Sequence, residues 1–98
     1  MKKTLDDLFF EGNTIKARRF KDFWCFGDSD HGEEVELTPS RTCELSANGP
    51  LYAGTYQGYV FVDNHGHEII LCGLRSWCDS ERSVYGNCVG EEGYQFLE

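Results

Sequence analysis

The chain has 98 residues, 40% of them hydrophobic, with seven Phe, five Tyr and two Trp, and a net charge of −8. That length fits one small domain, and the aromatic content excludes a chain that stays disordered. No stretch approaches the roughly 18 apolar residues of a membrane helix, and the acidic balance repels nucleic acid and anionic lipid.

Met1-Lys2-Lys3-Thr4-Leu5-Asp6-Asp7 starts basic but has no apolar run behind it. The chain therefore reads as unexported and cytoplasmic. Cysteines at 25, 43, 72, 78 and 88 are odd in number and irregular in spacing. This is the usage of buried apolar thiols in a reducing compartment rather than a disulfide framework. The charge is unevenly spread. Residues 1–24 carry +2, with six basic and four acidic groups, and residues 25–98 carry −10, with three basic and thirteen acidic groups.

Thr4-Leu5-Asp6-Asp7 has the form of a capping box, with Asp in place of the usual Glu. Leu5, Leu8 and Phe9 then make one apolar stripe, and Gly12 supplies a stop, which predicts a short helix over 4–10. Two turns do not stand alone in water, so this helix must dock on something. From Thr14 to Phe20 the pattern is a strand with Ile15 and Ala17 inward, Lys16 and Arg18 outward, and Arg19 breaking the alternation. Phe23-Trp24-Cys25-Phe26 suits a buried strand, and residues 27–32 a loop.

Val35 and Leu37 read as the inward side of a further strand, which Pro39 breaks or marks as an edge. Cys43 and Leu45 then read as inward. Asn48-Gly49-Pro50 is a turn, and Gly54 and Gly58 mark bends or bulges in a strand from Leu51 to Tyr59. The sharpest signal is a hairpin, Tyr59–Val62 and His67–Cys72 around Asp63-Asn64-His65-Gly66. Residues 76–82 read as a short helix or irregular loop, 90–93 as a turn, and Tyr94–Leu97 as a closing strand. The expected fold is mainly β, with α+β as the variant. It is a single domain over 1–98, either a small curved antiparallel sheet or a partly open SH3-like barrel, with a short N-terminal helix.

Four constellations bear on chemistry. His65, His67, Cys72 and Cys78 are weak candidates for zinc, because their spacing lacks a C-x2-C knuckle. His67 and Cys72 also fall on opposite faces of a regular strand. No local signature pairs a cysteine with a histidine base, and acidic surroundings oppose thiolate formation. Asp28-Ser29-Asp30 resembles the start of a calcium loop but departs from it at Gly32 and Glu33. Lys16, Arg18, Arg19 and Lys21 interleave with Phe20, Phe23 and Trp24, a pattern suited to single strands or RNA, but the segment is short and an acidic remainder follows it. Phosphate-loop and dinucleotide fingerprints are absent.

These observations predict a non-catalytic protein-binding module without a cofactor. Asp28, Asp30, Glu33, Glu34, Glu36, Glu44, Asp63, Glu68, Glu91 and Glu92 would dock on a basic surface of a partner, such as a nucleic-acid-binding protein, by imitating phosphates. In size, charge and lack of catalytic motifs the chain is similar to small acidic inhibitors encoded by phages, including anti-restriction, anti-CRISPR and host-takeover proteins. No motif carries over, so no residue role is transferred. The alternatives are a Cys/His metal- or nucleic-acid-binding module and a subunit of a larger complex, with Trp77 or Tyr85 exposed until the partner arrives.

Overall fold

The computed structural model describes residues 4–21, 32–51, 53–78 and 83–97. The Phe23–Phe26 run, Asp28 and Asp30 lie outside these residues. The fold is mainly β, as expected. A short helix α1 (Leu5–Phe10) precedes six strands: β1 (Ile15–Phe20), β2 (Glu33–Ala47), β3 (Gly54–Val62), β4 (Glu68–Cys78), β5 (Ser83–Asn87) and β6 (Gly93–Phe96). All pairings are antiparallel, and each strand pairs with the next. The expected closing strand closes the sheet literally, since β6 also pairs with β1 from Ala17↔Phe96 to Phe20↔Gly93. Closure removes the free edges that a partly open barrel would leave.

The helix begins where the capping box places it. Thr4 Oγ1 accepts from the Asp7 N–H at 3.2 Å, and Asp7 Oδ2 accepts from the Thr4 N–H at 3.2 Å. Leu5 joins the barrel's interior cluster, and the Phe9 ring packs 5.2 Å from Tyr59 and 5.7 Å from Phe61. The helix thus gains from the barrel the apolar contacts that six residues cannot supply to themselves. Its docked face covers the end of the barrel at which β1 begins.

Alternate residues of the strands fill the interior: Ala17, Val35, Leu37, Tyr59, Phe61, Ile69, Leu71, Tyr85 and Tyr94. The hairpin read from the sequence is present, with register from Tyr59↔Leu71 to Val62↔Glu68. Val60 and Cys72 occupy the opposite face from Phe61 and Leu71, yet both are fully buried. The sheet is covered on both sides here, which explains why these runs are apolar without alternating. No helix of the described residues is long and apolar enough to cross a membrane.

Two local readings are corrected. Cys43 and Leu45 do not point inward. The β2–β3 register slips between Pro39 and Arg41, so Ser40 is an extra residue and the faces exchange beyond it. Cys43 lies opposite Gly58 and Leu45 opposite Tyr56, on the face continuous with Val60. Residues 76–78 are strand, not helix or loop, because β5 pairs with them from Ser76↔Tyr85 to Cys78↔Ser83. The partner strand satisfies their backbone, a contact that leaves no periodic trace in the segment itself.

Candidate functional site

The acidic residues predicted to dock on a partner are placed in three different ways. Those at the start of β2 face the basic strand β1. The register sets Lys16 opposite Glu36, Arg18 opposite Glu34 and Arg19 opposite Glu33. Arg18 Nη2 stands 4.0 Å from Glu34 Oε2, and Arg19 Nη1 stands 3.6 Å from Glu33 Oε2. The basic strand and the acidic strand that the sequence suggests for opposite partners are therefore cross-strand neighbours that partly neutralise each other. Phe20 of the basic segment is buried, and Phe23 and Trp24 lie outside the described residues.

A second group organises the far end of the barrel. Arg19 Nη2 donates to Glu92 Oε1 at 3.0 Å, and the Tyr94 hydroxyl donates to Glu92 Oε2 at 3.0 Å. His65 Nε2 lies 3.6 Å from Glu33 Oε1. Asp63 is turned into its own hairpin, where Oδ1 accepts the N–H groups of His65 at 2.9 Å and His67 at 2.8 Å. These bonds fix the β3–β4 turn in the manner of an Asx turn, so Asp63 serves the fold rather than the surface.

Burial, reinforced by the bond to Glu92, holds the Tyr94 phenol well above its ordinary value. The unfolded chain ionises this group near pH 10 and the folded chain does not, so the folded state loses relative stability as pH rises past about 10. Urea unfolding of the wild type should thus show a fall in stability from about pH 9 to about pH 11 that is smaller in Tyr94→Phe. Equal falls in the two proteins would contradict this origin.

The remaining carboxylates are exposed on the outside. Glu68 pairs with Arg41 at 3.3 Å. Glu36, Glu44 and Glu91 are exposed and take part in no ion pair among the described residues. Among the described residues, His65, His67 and Cys72 are not assembled into a site. His65 and His67 sit exposed in the β3–β4 turn with ring centroids 6.3 Å apart, while Cys72 is buried further along β4 and Cys78 ends that strand. No group of three potential metal ligands occurs among the described residues. Tyr85 is buried in the core rather than exposed, and the side chain of Trp77 lies outside the described residues.

Sequence reasoning missed a groove at the helix-covered end. Pairing of β3 to β4 stops at Tyr59↔Leu71, and the register of β4 against β5 is irregular from Leu71 to Ser76. The strands part there, and α1 lies alongside. The resulting groove, about 550 Å³, is lined by Tyr56, Tyr59, Tyr85, Leu74, Gln57 and Asp6, with Leu5, Thr4 and Gly73 completing it. Its volume falls in the range of small-ligand sites. The irregular register that creates it has no sequence signature beyond Gly73.

Comparison of the chain with protein-family models, with curated proteins and with solved structures gives no match.

Proposed function

We propose that the chain is a non-catalytic binding module of the cytoplasm that docks on a basic surface of a partner protein, acting as an acidic inhibitor or nucleic-acid mimic. The observation that carries this reading is the set of exposed carboxylates left without an ion pair among the described residues, Glu36, Glu44 and Glu91, on a chain of net charge −8. Glu33, Glu34, Asp63 and Glu92, which the sequence also nominates, have internal partners and contribute less. A carboxylate already facing an arginine gains little from a second cation, since exposed pairs are worth about 0–1 kcal/mol. Carboxylates without such an ion pair keep more of their charge for a basic surface and speed its approach.

The test is capture of partners from a cell lysate by the wild type and by a Glu36→Lys/Glu91→Lys variant. A basic protein retained by the wild type should bind the variant about tenfold more weakly, as expected when two rim charges are reversed. Equal retention of that protein by the two would reject electrostatic docking through this face.

A further inference from the structure

We propose that the outer edge of β3 over residues 54–57 takes up an extended segment of the basic partner as an added strand, an inference that rests on the docking function proposed above. The barrel is closed in part by the pairing of β3 with β4, but that pairing covers only the stretch of β3 from Tyr59 to Val62. The strand begins earlier, at Gly54, and there it pairs with β2, from Cys43↔Gly58 to Ala47↔Gly54. Its neighbour β4 also runs on past Leu71, but it turns to β5, which it meets from Ser76↔Tyr85 to Cys78↔Ser83. Among the described residues, no strand pairs with residues 54–57 on the side away from β2.

A strand in an antiparallel ladder turns alternate N–H and C=O groups to each side, so part of the main chain of this stretch faces away from β2. Thr55 and Gln57 are exposed, whereas Gly58 is buried, which sets the inner limit of the edge. Folded proteins blunt such edges with charge, proline or a bulge, because an open row of donors and acceptors pairs with other strands. Gly54-Thr55-Tyr56-Gln57 carries no charge and no proline. The β2–β3 register is regular from Arg41↔Val60 to Ala47↔Gly54, and its bulge lies beyond that stretch, between Pro39 and Arg41.

Charge decides between the two kinds of strand that fit such an edge. A second copy of the chain would bring a second net charge of −8, so self-pairing is opposed by repulsion between the copies. A strand with basic side chains is attracted instead. The groove of about 550 Å³ lies beside this edge, lined by Tyr56 and Gln57 from β3, Gly73 and Leu74 from β4, and Asp6 from the helix. It gives room for side chains from one face of the added strand. Main-chain bonds then supply the affinity, and the groove sorts the side chains.

The probe is a blocked hexapeptide of alternating lysine and valine, titrated into the isotope-labelled protein at low salt and followed by two-dimensional NMR with amide hydrogen exchange. In the free protein the amides of Thr55, Tyr56 and Gln57 should alternate between slow and fast exchange, since only alternate ones bond to β2. The peptide should shift these signals, and at about four times its Kd it should slow the fast amides about fivefold. Two further peptides are N-methylated, one at its valines and one at its lysines. At least one of them should bind about tenfold more weakly, through loss of main-chain bonds. A glutamate-for-lysine peptide should also bind about tenfold more weakly. Parent-like binding by both N-methylated peptides, equal binding of the glutamate peptide, or no shift at residues 54–57 would overturn the proposal. Slow exchange of all three amides in a free protein that sediments as a dimer would assign the edge to a second copy instead and overturn it as well. Failure of the edge is separable from failure of the docking function. A captured partner that Glu36→Lys/Glu91→Lys loses but the lysine–valine hexapeptide does not displace would keep electrostatic docking and reject strand addition.

Discussion

Phe61→Ala should cost about 3–5 kcal/mol of folding stability, the usual range for emptying a fully buried aromatic position. Phe61 has no exposed surface, and its ring meets Phe9 of the helix at 5.7 Å and Phe96 of the closing strand at 5.7 Å. It therefore joins three parts of the molecule that are distant in sequence: α1, the β3–β4 hairpin and β6. Small domains have only about 5–15 kcal/mol of net stability, so the variant would stand near the limit of folding. The loss should also be cooperative, with helix and barrel melting together. Denaturant unfolding read by circular dichroism gives the magnitude. A cost below about 1 kcal/mol would mean that the helix and β6 do not share this core.

Gly58→Ala should destabilise by about 1–3 kcal/mol, the cost of overpacking a close contact, and Cys43→Gly should recover most of that loss. A methyl group built on Gly58 would stand 2.7 Å from Cys43 Sγ and 3.0 Å from Leu45 Cδ1. Both atoms belong to the facing strand, because the bulge at Ser40 brings Cys43 opposite Gly58. The glycine is thus required by close approach of side chains. The double variant Gly58→Ala/Cys43→Gly isolates the pairwise term as a mutant cycle. Additive costs would show that the two residues do not meet.

The sequence revealed the elements whose signals are local. Thr4 and Asp7 name their own cap, and the Asp63–Gly66 turn names the hairpin around it. The outward reading of Cys43 and Leu45 was beyond reach, because one extra residue at Ser40 exchanges the faces and nothing in the alternation records it. Pro39 marks the place without stating the consequence. Strand 76–78 exists through its pairing with β5, a long-range fact.

The candidate site divides in the same way. The carboxylates were visible as composition, but their partners were not. Which of them face β1 depends on the register that sets Glu34 against Arg18 and Glu33 against Arg19. Asp63 looked like one more surface acid, although its place at the head of an Asx turn could have shown its structural use. The groove depends on where two strands part, and no residue type announces that.

The measurement closest to the central claim is the affinity of the purified chain for a captured basic partner, determined by calorimetry across rising salt. Docking through unpaired carboxylates predicts affinity that falls steadily as salt screens the contact, with a shallower fall in Glu36→Lys/Glu91→Lys. Affinity that is unchanged by salt in both proteins would contradict the acidic docking function.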